Sequence, residues 1–331
     1  MDQFLIKYVA LLMLYFPLGV IGAWRWSVWL IKKIISLNYK PTENSIFNGT
    51  LSIITPVYNE DPALFKSALN SWKENDPQEI IAVIDESDKK CVEIFQQFKK
   101  DFKNSKLIIT DEPGKRPALA RGIKEAKGEI LALVDSDTIW EKNIKEKILA
   151  PIADESVGGV GTRQKVLKTN TLARIFFSIH LNMRYLFEMP FMAAAGNAVT
   201  CLSGRTAVYR REALLSVIDS MENETFLGKK CISGEDKCLT RLVQEKRWKV
   251  RYQENAIVWT SGAKDIKTFV KQQIRWSRNS WRSDVKSLYG KWIIKEKWLA
   301  FHMIDRFFQP FTLILGPIYF VISLMLGYYS I

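Results

Sequence analysis

The sequence predicts an α/β fold that is held at a membrane by its two ends. Between Leu51 and about Asp137, short β-rich runs alternate with helical stretches, and a long apolar segment lies at each end of the 331-residue chain. Alternation of this kind is typical of βαβ units that build a parallel sheet. The predicted strands are residues 51–57, 79–84, 106–110 and 129–134, and the predicted helices between them are residues 62–74, 88–100 and 116–126.

The apolar end segments, residues 1–24 and 310–331, are predicted to be transmembrane helices. From Phe4 onward the first segment contains a single charged residue, Lys7, and the second contains none. At about 1.5 Å per residue, each helix is long enough to cross a hydrocarbon core of about 30 Å. A cleaved signal peptide is the alternative for the first segment. That segment has no small-residue cleavage site, however, and it ends in Trp24-Arg25-Trp26, as an interfacial anchor does.

Basic residues after the first segment predict that the central domain, residues 50–285, is cytoplasmic. Four basic residues lie between Arg25 and Lys40, and positive charge is enriched on the cytoplasmic side of membrane proteins. Residues 25–49 are predicted to be an interfacial helix and linker, and residues 286–309 a second interfacial helix, because both mix aromatic, aliphatic and basic residues at helical spacing. Amphipathic helices packed on the domain's own core are the alternative. We expect a multi-pass plasma membrane protein with the lipid bilayer as a partner.

The composition argues against several classes of function. The formal net charge is +13, from 48 basic and 35 acidic residues dispersed along the chain, without a recognisable nucleic-acid module. We expect no nucleic acid partner and assign the charge to anionic lipid and a nucleotide diphosphate. The four cysteines form no Cys-x-x-Cys pair and only two histidines occur, so reduced thiols and no zinc site are expected. The lack of a Gly-x-Gly-x-x-Gly or Walker sequence disfavours dinucleotide oxidoreductases and P-loop NTPases.

Polar residues cluster at the carboxyl ends of the predicted strands, where open α/β sheets bind ligands. After the fourth strand, Asp135 and Asp137 form an Asp-x-Asp pair. Its hard oxygen atoms suit Mg²⁺ or Mn²⁺, and Asp137 is the predicted metal ligand. An acidic turn that merely closes the strand is the alternative.

Five short motifs, none of them specific alone, occur together in a fixed order. In that order the chain resembles the processive family 2 glycosyltransferases, hyaluronan synthases in particular, and chitin and cellulose synthases more distantly. The resemblance covers about residues 51–281 and implies a single-domain, Rossmann-like GT-A fold for the cytoplasmic domain. The motifs are Pro56-x-Tyr58-Asn59-Glu60, Gly114-Lys115-Arg116, Val134-Asp135-Ser136-Asp137-Thr138, Gly234-Glu235-Asp236-Lys237 and Gln272-Gln273-Ile274-Arg275-Trp276-Ser277.

The resemblance implies a site for a UDP-sugar donor. Asp85 would read the base, with a helix N-terminal cap as the alternative role. Lys115 and Arg116 open a helix after Gly114, so they are placed to add positive charge near the diphosphate; a solvated basic helix start is the alternative. The implied donor-binding residues are Thr55, Tyr58, Glu60, Asp85, Lys115, Arg116, Asp135 and Arg275.

The resemblance also implies the catalytic base and the acceptor site. An inverting transferase needs a base that removes the proton of the acceptor hydroxyl, and Asp236 matches that position. Glu235 and Lys237 stand where hyaluronan synthases usually have Asp and Arg, and Arg205 stands where they commonly have Pro. A first helical turn capped by Ser233 is the structural role that we expect beside catalysis. The implied acceptor-binding residues are Ser203, Gly204, Glu235, Gln272, Gln273 and Trp276, although Trp276 has a membrane-interface anchor as its alternative.

Three hypotheses on function follow. The first is a processive transferase that extends a polysaccharide or oligosaccharide acceptor from a UDP-sugar, and the second is a non-processive enzyme that adds one sugar to a lipid-linked or short acceptor. The third is a non-catalytic membrane protein that binds nucleotide or lipid. Because the chain stops at Ile331, within or at the end of an apolar segment, we expect a longer parent chain to add apolar spans; self-association into a homo-oligomer is the alternative.

Overall fold

The computed structural model describes residues 21–43 and 45–325, and its centre is a large mixed sheet. Eight of the strands form this sheet, and a separate two-stranded hairpin is formed by the other two. The strands are, in chain order, β1 (Leu51–Val57), β2 (Glu79–Asp85), β3 (Ser105–Thr110), β4 (Ile130–Leu133), β5 (Ile139–Trp140), β6 (Val157–Val166), β7 (Ala207–Arg210), β8 (Thr225–Phe226), β9 (Lys229–Lys230) and β10 (Lys249–Thr260).

Helices cover both faces of the sheet and continue beyond its edges. A π-helical segment, Arg184–Glu188, joins two of them, and 3₁₀ turns lie at Ala150–Ala153 and Lys291–Lys295. The α-helices are α1 (Ile21–Ser36), α2 (Pro62–Lys73), α3 (Lys89–Asp101), α4 (Lys115–Glu125), α5 (Ile144–Leu149), α6 (Leu172–Met183), α7 (Met189–Ala194), α8 (Arg211–Leu215), α9 (Ile218–Glu222), α10 (Glu235–Glu245), α11 (Ile266–Tyr289) and α12 (Lys297–Met325).

The first half of the sheet is parallel, as predicted from the alternation of strands and helices. Its order is β3-β2-β1-β4, with parallel pairing throughout. The inner strands β1, β2 and β4 are mostly apolar because helices bury them from both sides, whereas the edge strand β3 leaves Lys106 and Ile109 exposed. Ile53 belongs to the core cluster that contains α2 and α3, and Ile54, the next residue, belongs to the cluster that contains α4. Successive residues of one strand therefore pack into two different hydrophobic cores.

The second half of the sheet changes direction. β7 pairs antiparallel with both β4 and β6, and β10 runs parallel to β6 and antiparallel to β5. The resulting order is β3-β2-β1-β4-β7-β6-β10-β5. The polar residues that follow β1 and β4 thus lie beside the segment that enters β7, and Asp135 N–H donates to the Gly204 carbonyl over 3.0 Å.

Helices α1 and α12, near the two ends of the chain, are joined by ion pairs. Arg25 and Lys32 of α1 lie 2.6 and 2.5 Å from the carboxylate oxygens of the buried Asp305 in α12. Helix α12 continues through Pro310 and Pro317 without interruption, because a proline removes one backbone hydrogen bond but does not end a helix that packing maintains. The predicted boundary between residues 286–309 and 310–331 therefore falls inside one helix, and residues 286–289 belong to α11.

The predicted membrane spans lie only partly in the region that the structure describes. Residues 1–20 of the first span and 326–331 of the second are outside it. Among residues 21–43 and 45–325, no helix combines the length with the apolar composition that a bilayer crossing requires.

Candidate active site

A cleft of about 580 Å³ opens at the carboxyl end of β4 and is closed on its other sides by helices α6, α10, α11 and α12. It collects residues from four of the five sequence motifs, which are spread along the chain from Lys115 to Trp276. The predicted site residues that line it are Lys115, Asp135, Asp137, Ser203, Gly204, Glu235, Asp236, Gln272, Gln273, Arg275 and Trp276.

Lys115 joins the acidic groups at the centre of the cleft. Its Nζ lies 2.6 Å from Asp135 Oδ1 and 2.8 Å from Glu235 Oε1. The position follows from Gly114, which precedes helix α4 with φ +118°, in a backbone conformation that L side chains rarely adopt. Burial lowers the pKa of Lys115, but the two carboxylates outweigh burial and raise it, so the ammonium stays charged. One fixed positive charge is thus held between the end of β4 and the start of α10.

The adjacent carboxyl groups Glu235 and Asp236 have opposite pKa shifts. Burial acts to raise the pKa of Glu235, yet Lys115 lowers it to about 2. Burial raises the pKa of Asp236, and the negative charge of Glu235 raises it further. A carboxylate of raised basicity therefore lies beside one that stays ionised, which is an arrangement suited to a general base.

Gly234 fixes the start of the helix that presents Asp236. Its φ is +81°, and an added Cβ would lie 2.9 Å from Asn279 Cγ. The N-cap of α10 is Gly234, without a side-chain cap, so the predicted cap by Ser233 is wrong. The Ser233 hydroxyl instead donates to Asn279 Oδ1 over 3.0 Å, because the backbone turn at Gly234 directs it toward α11.

Asp137 is the carboxylate best placed for a metal ion. Its Oδ2 accepts hydrogen bonds of 3.1 Å from Thr260 and from Ser261, whereas Oδ1 has only a 3.5 Å contact with Thr138. Within the described residues, no group of three or more His, Cys, Asp or Glu side chains is arranged to hold a metal alone. Mg²⁺ commonly binds through one or two carboxylates, with substrate phosphate and water as the other ligands. Asp135 and Asp137 fit that donor set.

Helix α11 lines the opposite wall with Gln272, Gln273 and Trp276. Gln272 Oε1 and Gln273 Nε2 are buried and have no hydrogen-bond partner within the described part of the chain. Buried polar atoms are nearly always paired in folded proteins, so these two amides are candidates for contact with a ligand. Trp276 is half-buried, stacks on His180 with ring centroids 6.3 Å apart, and has the Arg205 guanidinium 5.3 Å from its ring. Its place in the cleft favours the binding role over the membrane anchor.

Five predicted donor-binding residues, Arg116 and four others, are not among those that line the cleft. Thr55 is fully buried in β1, with no partner for its hydroxyl among the described residues, whereas Tyr58 is exposed. Glu60 Oε2 accepts a 2.7 Å hydrogen bond from the Ser136 hydroxyl, which holds Glu60 beside the Asp-x-Asp segment. Asp85 is half-buried and accepts hydrogen bonds from Ser87. The alternative role of Asp85 as a helix cap is wrong, because Asp88 caps α3.

Arg116 is the predicted donor-binding residue that the structure places elsewhere. It is buried and points away from Lys115 because successive side chains of a helix leave on different faces. Its guanidinium lies 2.8 Å from Glu224 Oε2 and 2.6 Å from the Met221 carbonyl. Glu224 also accepts from Arg241 at 2.9 Å and Lys286 at 3.0 Å. Arg116 therefore belongs to a buried ion cluster behind the cleft. It has a structural role there instead of the predicted contact with the diphosphate.

Replacing Glu224 with Gln should lower the free energy of unfolding by about 3 kcal/mol, because it removes the carboxylate that pairs with the buried Arg116 and leaves Arg241 with only its 3.3 Å pair to Glu245. The measurement is the stability of the purified protein in detergent, followed by denaturant titration or by the thermal midpoint. Glu222→Gln is the matched control, since Glu222 lies two positions away and only meets the exposed Lys124 at 3.5 Å; its loss should be about 1 kcal/mol or less. Equal losses of stability in the two variants would contradict the structural role of the Glu224 ion cluster.

A second ion cluster connects the helix of Asp236 to α11 and α12. Lys237 Nζ lies 2.7 Å from Asp284 Oδ1, and Asp284 also pairs with Arg306. Lys237 and Asp284 are buried. Burial, followed by the charge of Arg306, lowers the pKa of Lys237 to about 8. The cluster fixes the orientation of α10 against α11 and α12.

Several residues that line the cleft had no role in the sequence prediction. Some of them lie on α6, on the π-helical segment that follows it, and on β6, where no family motif occurs. Only Arg205 had a signal, since it departs from the proline common in hyaluronan synthases. The additional lining residues include Gln164, His180, Arg184, Glu188, Arg205 and Arg306.

Comparison with known proteins identifies the family. The family model described as "Glycosyltransferase like family 2" matches residues 49–279. The chain belongs to the family 2 glycosyltransferases. This match confirms the resemblance inferred from the five motifs.

Curated relatives of this glycosyltransferase include N-acetylglucosaminyltransferases and hyaluronan synthases. An N-acetylglucosaminyltransferase of Rhizobium meliloti (strain 1021) is 29% identical over 246 residues, which are 72% of this chain and 57% of that protein. A hyaluronan synthase of Streptococcus pyogenes serotype M3 (strain ATCC BAA-595 / MGAS315) is 27% identical over 282 residues, 82% of this chain and 66% of that protein. Both names support a hexosyltransferase. The chain spans little more than half the length of the first relative.

Solved structures establish the fold of this glycosyltransferase. The mannosyltransferase PcManGT from Pyrobaculum calidifontis, in complex with GDP-Man and Mn²⁺, has a TM-score of 0.70 at 18% identity, covering 96% of this chain and 87% of that chain. Residues 1–349 of S. aureus TarS, in complex with UDP-GlcNAc, have a TM-score of 0.53 at 17% identity, covering 78% and 73%. The likeness confirms the predicted GT-A fold.

Proposed function

We propose that this chain is a membrane-bound, inverting, metal-assisted glycosyltransferase that transfers sugar from a UDP-sugar to a growing polysaccharide. The observation that supports this most strongly is the geometry of one cleft in a family 2 chain. In it, a basic carboxylate (Asp236), a fixed cation (Lys115), an Asp-x-Asp segment and an aromatic platform (Trp276) face the same space. The names of the relatives, N-acetylglucosaminyltransferase and hyaluronan synthase, support a polymer of hexose units.

Asp236 is the proposed base of the transfer. As the acceptor oxygen attacks the anomeric carbon in line, its proton passes to the Asp236 carboxylate and the bond from that carbon to the diphosphate oxygen breaks. The nucleotide diphosphate leaves, and the configuration of the carbon is inverted without a covalent intermediate. Burial and Glu235 raise the pKa of Asp236, which strengthens it as a base.

The leaving diphosphate needs positive charge beside it. Lys115 supplies a fixed cation at 2.6 Å from Asp135, and Arg275 lines the same cleft. Asp137, with Asp135 beside it, would hold Mg²⁺ or Mn²⁺, which neutralises charge on the departing phosphates when bound.

The lipid bilayer is the proposed partner of the helices at both ends of the chain, and the plasma membrane is the proposed location, with the catalytic domain cytoplasmic. Helix α1 exposes Trp24, Trp26 and Trp29, and α12 exposes Phe308 and Phe311. Aromatic side chains of this kind are enriched where proteins meet the membrane interface. The basic residues Arg25 and Lys32 join α1 to α12 through Asp305, so the two helices would meet the membrane together.

The pH dependence of the transfer rate should reflect the titration of Asp236 under the influence of its neighbour Glu235. Because the pKa of Asp236 is raised, and because only its deprotonated form accepts a proton, the rate should fall on acidification at a pH above the usual range of an aspartate. Glu235→Gln removes the neighbouring negative charge, lowers the pKa of Asp236, and should move the acidic limb of kcat/KM to lower pH. Glu245→Gln, at the exposed end of the same helix, should leave the limb in place. If the acidic limb of kcat/KM stays at the wild-type pH in Glu235→Gln, the result would contradict the role of Asp236 as the base whose pKa Glu235 raises.

The proposed function is tested by giving the purified chain, with Mn²⁺ or Mg²⁺, a panel of donors and sizing the products. The panel contains UDP-glucose, UDP-N-acetylglucosamine and UDP-glucuronate, singly and in pairs, and GDP-mannose as the nucleotide control. Long product from a UDP-sugar supports the processive transferase, and dependence on two donors would indicate a copolymer. Short product would support transfer of single sugars instead. Turnover of GDP-mannose alone would contradict the proposed donor class.

A further inference from the structure

The side of the cleft around Trp276, β6 and α6, which we call the acceptor side, contains two guanidinium groups that form no ion pair within the described residues. Arg205 lies 5.3 Å from the Trp276 ring and 5.1 Å from the Phe177 ring, and its Nη1 donates to Gln164 Oε1 over 2.8 Å. Arg184 makes one long hydrogen bond of 3.4 Å, to the Cys201 carbonyl. Within residues 21–43 and 45–325, neither guanidinium has a carboxylate within ion-pair distance. Their positive charge is therefore available to a ligand.

Polar atoms without partners lie in the same part of the cleft. Gln164 is buried and its Nε2 has no hydrogen-bond partner in the described region, and the same is true of Arg184 Nε, Gln272 Oε1 and Gln273 Nε2. A buried polar atom that stays unpaired costs about 1–3 kcal/mol. With Arg306 Nε, five such atoms belong to residues that line a single cleft, as expected of a wall that binds a polar ligand.

The charges of the cleft are separated along its length. The carboxyl groups cluster at the end where Lys115 lies, beside the strand ends, whereas Glu188 is the one acidic residue among the lining residues of α6 and the π-helical segment that follows it. Glu188 is exposed, one turn beyond Arg184. Two further cations, Lys237 and Arg306, are already paired through Asp284. The acceptor side therefore has a net positive charge that Arg184 and Arg205 supply.

We infer that Arg184, Arg205 and Gln164 form a subsite for an oxyanion on the acceptor, beside the Trp276 platform. The ligand group is a carboxylate or a phosphate, since a guanidinium binds either through paired, charge-assisted hydrogen bonds. Two sources supply such a group: a uronate unit in a growing polysaccharide, or the phosphate of a lipid-linked acceptor. The inference rests on the proposed function, in which the acceptor binds on this side of the cleft.

The test measures binding, so it does not require turnover. The full chain in detergent is titrated with three ligands of equal sugar number, in competition with a fluorescent oligosaccharide. The ligands are a neutral N-acetylglucosamine tetramer, a tetramer that alternates N-acetylglucosamine with glucuronate, and the neutral tetramer joined to a short prenyl diphosphate. At least one anionic ligand should bind about tenfold more tightly than the neutral tetramer, or tighter still. The ligand that shows the preference identifies the source of the oxyanion.

Variants assign the preference to the subsite. Arg184→Gln and Arg205→Gln should each reduce the preference several-fold, Arg205→Lys should retain part of it, and the double Gln variant should remove it. Arg174→Gln, on the same helix as His180 but absent from the residues that line the cleft, is the matched control and should keep it. Thermal midpoints close to that of the wild type would show that the variants are folded.

Several outcomes would overturn the inference. They are equal binding of neutral and anionic tetramers, a preference that survives in the double variant, and a double variant that weakens UDP binding instead of acceptor binding. The last result would assign the arginines to the donor diphosphate. UDP release from the donor panel is measured in parallel. Intact release without a charge preference would disprove the subsite alone, whereas a preference without release would disprove the proposed function and keep the subsite.

Discussion

Asp236→Asn should reduce sugar transfer by about 10²- to 10⁴-fold, which is the usual contribution of a general base. Asn has nearly the shape of Asp but does not accept the proton of the acceptor hydroxyl. The buried environment that raises the pKa of Asp236 should also tolerate the neutral amide, so we expect the variant to fold. The measurement is the steady-state rate of nucleotide diphosphate release with the preferred donor, together with the amount of polymer formed.

Two comparisons separate a lost base from a lost fold. Binding of the donor to Asp236→Asn should stay within a few-fold of wild type, since Lys115, Asp135 and Asp137 remain. Asp219→Asn, at an exposed carboxylate that pairs with Lys124 at 3.3 Å, should keep the wild-type rate. A release rate in Asp236→Asn above about a tenth of that of the wild type would exclude Asp236 as the base.

Asp137→Asn should reduce transfer on the order of 10²-fold or more, because it weakens the proposed metal ligand and with it the stabilisation of charge on the leaving diphosphate. The expected signature is a changed metal dependence: the Mn²⁺ concentration that gives half-maximal rate should rise by about tenfold or more. The measurement is the rate as a function of Mn²⁺ and Mg²⁺ at saturating donor.

Thr260→Val is the graded control for Asp137. It removes one of the two 3.1 Å hydrogen bonds to Asp137 Oδ2 and keeps the carboxylate, so its metal requirement should shift in the same direction by a smaller factor. A rate that does not respond to a chelator in the wild type, or an unchanged metal requirement in Asp137→Asn, would contradict the role of Asp137.

The parallel half of the fold was predictable from sequence because three of its four strands are buried on both faces. Their apolar runs alternate with amphipathic helices, and the predicted limits of β1 to β4 agree with the structure to within one residue at each end. The strands β6 and β10 were not predicted. β6 contains three glycines and several polar residues, and β10 includes the polar run from Arg251 to Asn255. These segments become strands through their long parallel pairing with each other, which local composition does not encode.

The candidate site was predictable where a motif fixes both residue type and place. Motifs from distant parts of the chain meet in one cleft, as the positions of Asp135, Asp236 and Trp276 show. Arg116 shows the limit of this approach, because adjacent residues at the start of a helix point in directions that depend on the helix phase and on partners such as Glu224. The subsite around Arg184 was beyond prediction, since a π-helical segment changes which side chains share a face.

The central claim, that Asp236 accepts the proton of an acceptor held on Trp276, is tested most directly by an experimental structure of Asp236→Asn with UDP-sugar, Mn²⁺ and an acceptor oligosaccharide. We predict that the terminal acceptor ring lies on the Trp276 face with its reacting hydroxyl about 2.6–3.2 Å from the side chain at position 236. The same oxygen should face the anomeric carbon opposite the diphosphate. An acceptor hydroxyl that approaches the donor from another side, out of reach of position 236, would contradict the claim.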